Sequence, residues 1–151
     1  MTASDPQGRR YPARPYLAAS VAVVRGGRVL VASRGGSPLH GLYSLPGGLV
    51  EPGERLAETA LRELREEVGV EAEIVAGLSP TEVIERDGDG RVLHHFVIMA
   101  HAARWLRHEP APGDEALDVR WVTVAEAAAL PTTDGLLAIL AEAVAAVEGP
   151  P

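Results

Sequence analysis

The chain has 151 residues, of which 46% are apolar and 23% charged, a composition typical of one soluble globular domain with a sizeable core. Its net charge is −7 and every basic residue is an arginine, which argues against nucleic acid as a partner because phosphate contacts need clustered positive charge. The lack of cysteine excludes disulfides and thiolate chemistry. No apolar run approaches the ~20 residues of a membrane span, so we expect a cytoplasmic protein with no membrane partner.

The pattern along the chain predicts one domain after a short arm. Residues 1–15 predict a flexible N-terminal arm, because their prolines and arginines leave little to pack, and residues 16–148 predict a single domain. Strands mixed with helices indicate an α/β fold with a mixed sheet flanked by helices. The predicted strands are 16–24, 28–33, 70–78, 81–86, 91–103 and 119–122, with a short extended segment at 43–45. The predicted helices are 55–68, which Gly69 ends, 124–129 and 134–147.

Three glutamates crowd one edge of the first predicted helix. Glu63 lies three and four residues before Glu66 and Glu67, and Glu67 falls within the apolar arc of the helix. Like charges at this spacing destabilise an exposed helix by a few tenths of a kcal/mol per pair, and partial burial adds to the cost. A hard dication such as Mg²⁺ prefers oxygen ligands and would remove the conflict. The alternative is a solvated acidic face with ion pairs such as Glu58 with Arg62.

The residues around this helix follow the pattern of a known family. The run 48–70 resembles the complete Nudix box, with Gly48, Glu54, Arg62-Glu63-Leu64, Glu66-Glu67 and Gly69-Val70 at the family's spacing. The flanking Leu45-Pro46-Gly47-Gly48 and Arg120-Trp121-Val122 are also similar to the family. The resemblance implies a Nudix-type α/β/α sandwich and a hydrolase that uses Mg²⁺, or Mn²⁺ in its place, to cleave a phosphoanhydride bond with water.

The resemblance also implies a role for each position of the box. Glu63, Glu66 and Glu67 resemble the catalytic metal ligands, with Glu67 central and the carbonyl of Gly47 as a backbone ligand. Glu54 and Arg62 resemble the pair that braces the loop against the helix. Gly48 and Gly69 are backbone positions, Gly48 for a tight loop and Gly69 for a left-handed helix end. Glu115 is similar in placement to a further catalytic acid that binds a second metal or acts as base. The alternatives are that Glu115 lies in a solvated turn, or that Glu109 or Glu82 acts as the base.

The substrate is less sharply defined by the sequence. We expect a small nucleoside diphosphate derivative, with ADP-ribose or a related nucleotide sugar first and a nucleoside triphosphate second. Arg25, Arg34 and Arg86 are unranked candidates for phosphate contacts. A non-catalytic nucleotide sensor is a third reading, which the intact glutamates oppose. The Ala-rich C-terminal helix is a candidate homodimer contact.

Overall fold

A computed structural model of the chain describes residues 8–35, 41–114 and 116–149. Within these ranges the chain forms one sheet of eight strands and three helices. The strands are β1 (Tyr16–Arg25), β2 (Arg28–Arg34), β3 (Tyr43–Ser44), β4 (Gly47–Leu49), β5 (Glu71–Gly77), β6 (Thr81–Arg86), β7 (Val92–Arg107) and β8 (Ala116–Val122). The helices are α1 (Leu56–Val68), α2 (Val124–Ala127) and α3 (Leu136–Glu148). None of these helices has the length and apolar character that a membrane span requires.

The sheet is mixed, with β1 and β7 as its parallel centre. β7 pairs with β1 over residues 96–104 and, on its other edge, with β5 and β6. β1 and β2 pair with each other only beside their hairpin turn. Farther from the turn, β4 pairs with β1, β3 pairs with β2, and β8 pairs with the other edge of β2. The segment that joins β3 to β4 therefore lies between the two hairpin strands, where Val21 N–H donates to Pro46 O (3.0 Å).

Two apolar cores lie on the two faces of this sheet. Side chains alternate along β1, so that Val21 and Val23 pack under α1 while Ala22 and Val24 pack under α3. Each helix thus covers one face, and the predicted mixed sheet flanked by helices is confirmed.

Three strands differ from the prediction because tertiary pairing sets their bounds. β7 continues past residue 103 to Arg107, since β5 pairs with it up to that residue. β8 begins at Ala116, three residues before its predicted start, because it pairs with the end of β2. β4 lies where the sequence predicts no strand, since glycine has a low strand propensity.

Residues 8–15 lie within the arm that the sequence predicts as flexible, and they contact the β6–β7 hairpin. Tyr11 N–H donates to Leu93 O (2.9 Å), and the Tyr11 hydroxyl donates to Asp87 (2.8 Å). The Arg91 guanidinium stands 4.2 Å from the centre of the Tyr11 ring. The division of the chain into an arm and a domain stays a prediction.

Candidate metal and active site

Helix α1 is the element that positions the box glutamates. Its buried residues Ala60, Leu64 and Val68 pack against the odd-numbered side chains of β1, which fixes the rotation of the helix on the sheet. Gly69 ends the helix in the left-handed conformation (φ 72°), and its N–H donates to Arg65 O (3.0 Å). Glu63 and Glu67, one turn apart, are thereby turned towards β4.

Two glycines of β4 allow these carboxylates to approach the backbone. Gly47 N–H donates to Oε2 of Glu67 (3.3 Å). A Cβ at Gly48 would lie 2.5 Å from Oε1 of Glu63, and a Cβ at Gly47 would lie 2.5 Å from Ala19 O. The sequence predicts Gly48 as a tight-loop position. In the structure Gly48 belongs to a strand, and the constraint on it is the space that the Glu63 carboxylate occupies.

The surroundings of the Glu67 side chain disfavour its charged form. Burial of this half-buried side chain, followed by the nearby Glu63 carboxylate, raises the pKa of Glu67 to about 8 from its ordinary 4.5. A hydrogen bond between the two carboxyl groups acts in the same direction, while Arg34 and the Gly47 N–H lower the pKa. Two carboxyl groups held together beside β4 form an oxygen-rich donor set, which fits a hard dication.

Arg62 links the loop before α1 to the helix. Its guanidinium donates to both oxygens of Glu54 (Nε 2.7 Å, Nη2 2.9 Å) and to Leu49 O (3.3 Å). Glu54 also accepts from the hydroxyl of Thr59 (2.9 Å) and the N–H of Glu51 (3.0 Å). Arg62 first, and then the backbone N–H of Glu51, lower the pKa of Glu54 to about 2. This geometry is that of a brace between loop and helix.

Glu66 does not join the other two glutamates. Its side chain is 61% exposed, against 17% for Glu63, and it accepts a hydrogen bond from Arg62 (3.2 Å). Arg62 also donates to Glu63 (2.9 Å). In the described ranges no three Asp, Glu, His or Cys side chains gather at one point suited to a metal ion. The sequence predicts that all three glutamates converge. The structure brings Glu63 and Glu67 together against β4. The exposed Glu66 carboxylate instead pairs with Arg62, one turn before it on the same helix.

The sequence offers three further acidic residues as the base, and two of them lie in the described ranges. Glu115 lies outside the described residues. Glu109 accepts a hydrogen bond from Arg25 (2.7 Å), and Glu82 is exposed on β6 opposite Val97.

The structure separates the three arginines that the sequence leaves unranked. Arg34, at the end of β2, is near enough to Glu67 to lower the pKa of that carboxyl group. Arg25 is paired with Glu109, and Arg86 donates to Gly90 O (3.1 Å) in the β6–β7 turn. Of the three, Arg34 is therefore the one whose charge acts on Glu67. Its place at a strand end is the only signal in the sequence, since β2 and α1 are separate elements and the effect of Arg34 on Glu67 exists only in the folded chain.

Known proteins share this fold and this helix. A family model described as NUDIX domain matches residues 14–142. A putative 8-oxo-dGTP diphosphatase 2 of Mycobacterium tuberculosis is 41% identical over 107 residues, which are 70% of this chain and 71% of that protein. An ADP-ribose pyrophosphatase of Methanocaldococcus jannaschii is 32% identical over 85 residues, 56% of this chain, and this chain spans 50% of that relative's length. The crystal structure of a MutT NUDIX hydrolase from Burkholderia pseudomallei superposes with a TM-score of 0.74 at 27% identity, covering 84% of this chain and 96% of that one.

A mixed sheet between two helical layers, with an intact box on the helix beside β4, is the architecture of a Nudix domain. The chain belongs to the Nudix hydrolase family, and the resemblance seen in the sequence is confirmed.

Proposed function

We propose that the chain is a Mg²⁺-dependent pyrophosphohydrolase that cleaves the phosphoanhydride bond of a nucleoside diphosphate linked to another group. The observation that carries this proposal is the packing of Glu63 and Glu67 against Gly47 and Gly48 within a complete box. Glu67 is half-buried beside the Glu63 carboxylate and makes no ion pair within the described residues. Its charged form therefore opposes folding unless a cation offsets it, which favours a binding role over a structural one.

The donor set indicates which residues would hold the ion. Glu63 and Glu67 would supply carboxylate oxygens and Gly47 a carbonyl oxygen, ligands that suit Mg²⁺ and also Mn²⁺. Glu66, which is paired with Arg62 in this structure, stays a proposed third ligand on the family resemblance alone. When bound, Mg²⁺ would stabilise negative charge on phosphate oxygens and make water a better nucleophile at neutral pH.

Other side chains would orient the substrate and keep the site in shape. The Arg62–Glu54 pair holds the loop between β4 and α1 at a fixed distance from the helix. Arg34, whose charge acts on Glu67, is the arginine that we assign to the substrate phosphates, since a guanidinium matches phosphate oxygens in charge and geometry. Glu115 remains the proposed base or second-metal ligand on the strength of the family resemblance alone.

Two substrate classes are supported by different relatives. The relative named ADP-ribose pyrophosphatase favours a nucleotide sugar, although this chain spans only half of its length. The relative named putative 8-oxo-dGTP diphosphatase 2 matches more of this chain at higher identity, which favours a nucleoside triphosphate. A non-catalytic sensor is a weaker proposal, because every glutamate of the box is present.

A substrate panel with Mg²⁺ tests the proposal. Products resolved by chromatography distinguish the classes: ADP-ribose would give AMP and ribose phosphate, and a triphosphate would give a monophosphate and pyrophosphate. Glu67→Gln should abolish the release. Glu58→Gln, an exposed position on the same helix that lies near Arg55, should not. The proposal fails if the wild-type protein cleaves none of the panel, or if Glu67→Gln retains near-normal activity.

A further inference from the structure

The loop between β7 and β8 docks on the C-terminal end of α1. Ala111 N–H donates to Val68 O (3.1 Å), and Gly113 N–H donates to Glu67 O (3.0 Å). The last carbonyl groups of a helix have no partners within the helix, so a neighbouring segment that donates to them fixes the last turn. Here the last turn is the one that carries Glu66 and Glu67.

Gly113 meets this turn at a distance that leaves no room for a side chain. A Cβ at Gly113 would lie 2.7 Å from Glu67 O and 3.5 Å from the carbonyl carbon of Glu67. Both atoms are backbone, so the overlap is relieved only if the loop or the helix end moves. Gly88, in the β6–β7 turn, is a matched contrast: a Cβ there would meet no atom within 4 Å, and its φ lies outside the left-handed region.

The start of the same loop is held independently. Trp105 Nε1–H donates to His108 O (3.0 Å), and Arg25 donates to Glu109 (2.7 Å). The Arg25 guanidinium lies 3.7 Å from the centre of a Trp105 ring, a cation–π contact. Because the loop is fixed at its start as well, an atom added at Gly113 would displace the helix end in part.

We propose that Gly113 is a positioning residue for the metal site: its fit against Glu67 O holds the last turn of α1 where the Glu67 carboxylate can share an ion with that of Glu63. This inference rests on the proposed function for the identity of the ion. It adds a role for a residue outside the box, on a different element of the fold.

The test compares Gly113→Ala with Gly88→Ala in the full chain. Free Mn²⁺ measured by electron paramagnetic resonance gives the affinity without any turnover. Gly113→Ala should weaken Mn²⁺ binding by about tenfold, the lower end of what loss of an outer-shell contact costs, and Gly88→Ala should leave it unchanged. Hydrogen exchange in the peptide 62–70 should be faster in Gly113→Ala alone. Unchanged affinity and unchanged exchange in that variant would overturn the proposal.

A second variant tests the same proposal if Gly113→Ala does not fold. Trp105→Phe removes the hydrogen bond to His108 O but keeps a ring for Arg25 to cover, so it should weaken Mn²⁺ binding in the same direction and by less. Where substrate is cleaved, kcat should fall more than KM rises. The inference and the proposed function fail separately. A wild-type protein that binds Mn²⁺ but cleaves nothing contradicts the function alone, whereas active variants with unchanged Mn²⁺ affinity contradict the positioning role alone.

Discussion

The two long helices have the same length and pack on opposite faces of one sheet, yet they use their glutamates differently. On α3, Glu142 accepts from the N–H and hydroxyl of Ser79 (3.0 and 3.2 Å), and Glu148 accepts from Gly27 N–H (2.9 Å). On α1, Glu63 and Glu67 face each other beside β4. Carboxylates that secure neighbouring turns are structural. Carboxylates that are crowded together at a half-buried edge indicate a site whose partner is a cation.

The largest expected effect is a loss of activity when a carboxylate is removed from α1, whereas removal of one from α3 should have little effect. Glu67→Gln should lower kcat/KM by more than about 100-fold, since loss of an outer-shell partner alone costs 10–100-fold. Glu142→Gln should leave kcat/KM near the wild-type value. Steady-state kinetics with the best substrate of the panel measures both, and circular dichroism checks that each variant is folded. Equal losses in the two variants would remove the contrast between the helices.

In the absence of metal, the same substitution should raise the thermal stability of the protein above pH 4.5. The pKa of Glu67 is raised in the folded chain, to about 8, so any stability linked to its protonation is present below the ordinary pKa of 4.5 and is lost as the pH rises towards 8. In EDTA, Glu67→Gln should therefore have a Tm close to that of the wild type near pH 4 and several degrees above it at pH 8. A Tm difference that does not change with pH would show that Glu67 ionises freely in the folded protein.

The brace beside the site should respond to pH in the reverse direction. Arg62 lowers the pKa of Glu54 to about 2, so its contribution to stability is full above the ordinary pKa of 4.5 and disappears as the pH falls through about 2. Glu54→Gln should lower the midpoint of urea unfolding at pH 6, and this deficit should shrink on acidification below pH 4.5. A deficit that stays constant down to pH 2.5 would assign it to packing instead of charge.

The smallest effect concerns how α1 ends. Gly69 has a φ of 72°, which an alanine adopts only with strain, so Gly69→Ala should lower the free energy of unfolding by about 1 kcal/mol. Denaturant titration measures the change. A loss of several kcal/mol would mean that the helix end contributes more to the fold than its backbone conformation explains.

Much of this comparison was predictable from the sequence. Periodicity and turn residues predict α1 and α3 and most strands, and the position of Glu67 in the apolar arc indicates its partial burial. The spacing of the box residues predicts the family. These are local patterns, and they persist in the folded chain because each agrees with the packing around it.

What the sequence could not predict depends on contacts between distant elements. Strand β4 has glycines at two of its three positions, and only its pairing with β1 makes it a strand. Position 48 needs a glycine because a Cβ there would overlap the Glu63 carboxylate, which lies fifteen positions away on another element. Likewise no local signal links Gly113 or Arg34 to Glu67, since both residues lie on other elements and their interactions with Glu67 exist only in the folded chain.

The most direct test of the account is to locate the ion. Crystals grown with Mn²⁺ and measured at the manganese absorption edge should give an anomalous peak between α1 and β4, within bonding distance of Glu67 and the Gly47 carbonyl. A peak elsewhere on the protein, or none at a Mn²⁺ concentration that supports hydrolysis, would contradict the claim that these carboxylates are gathered to hold a metal.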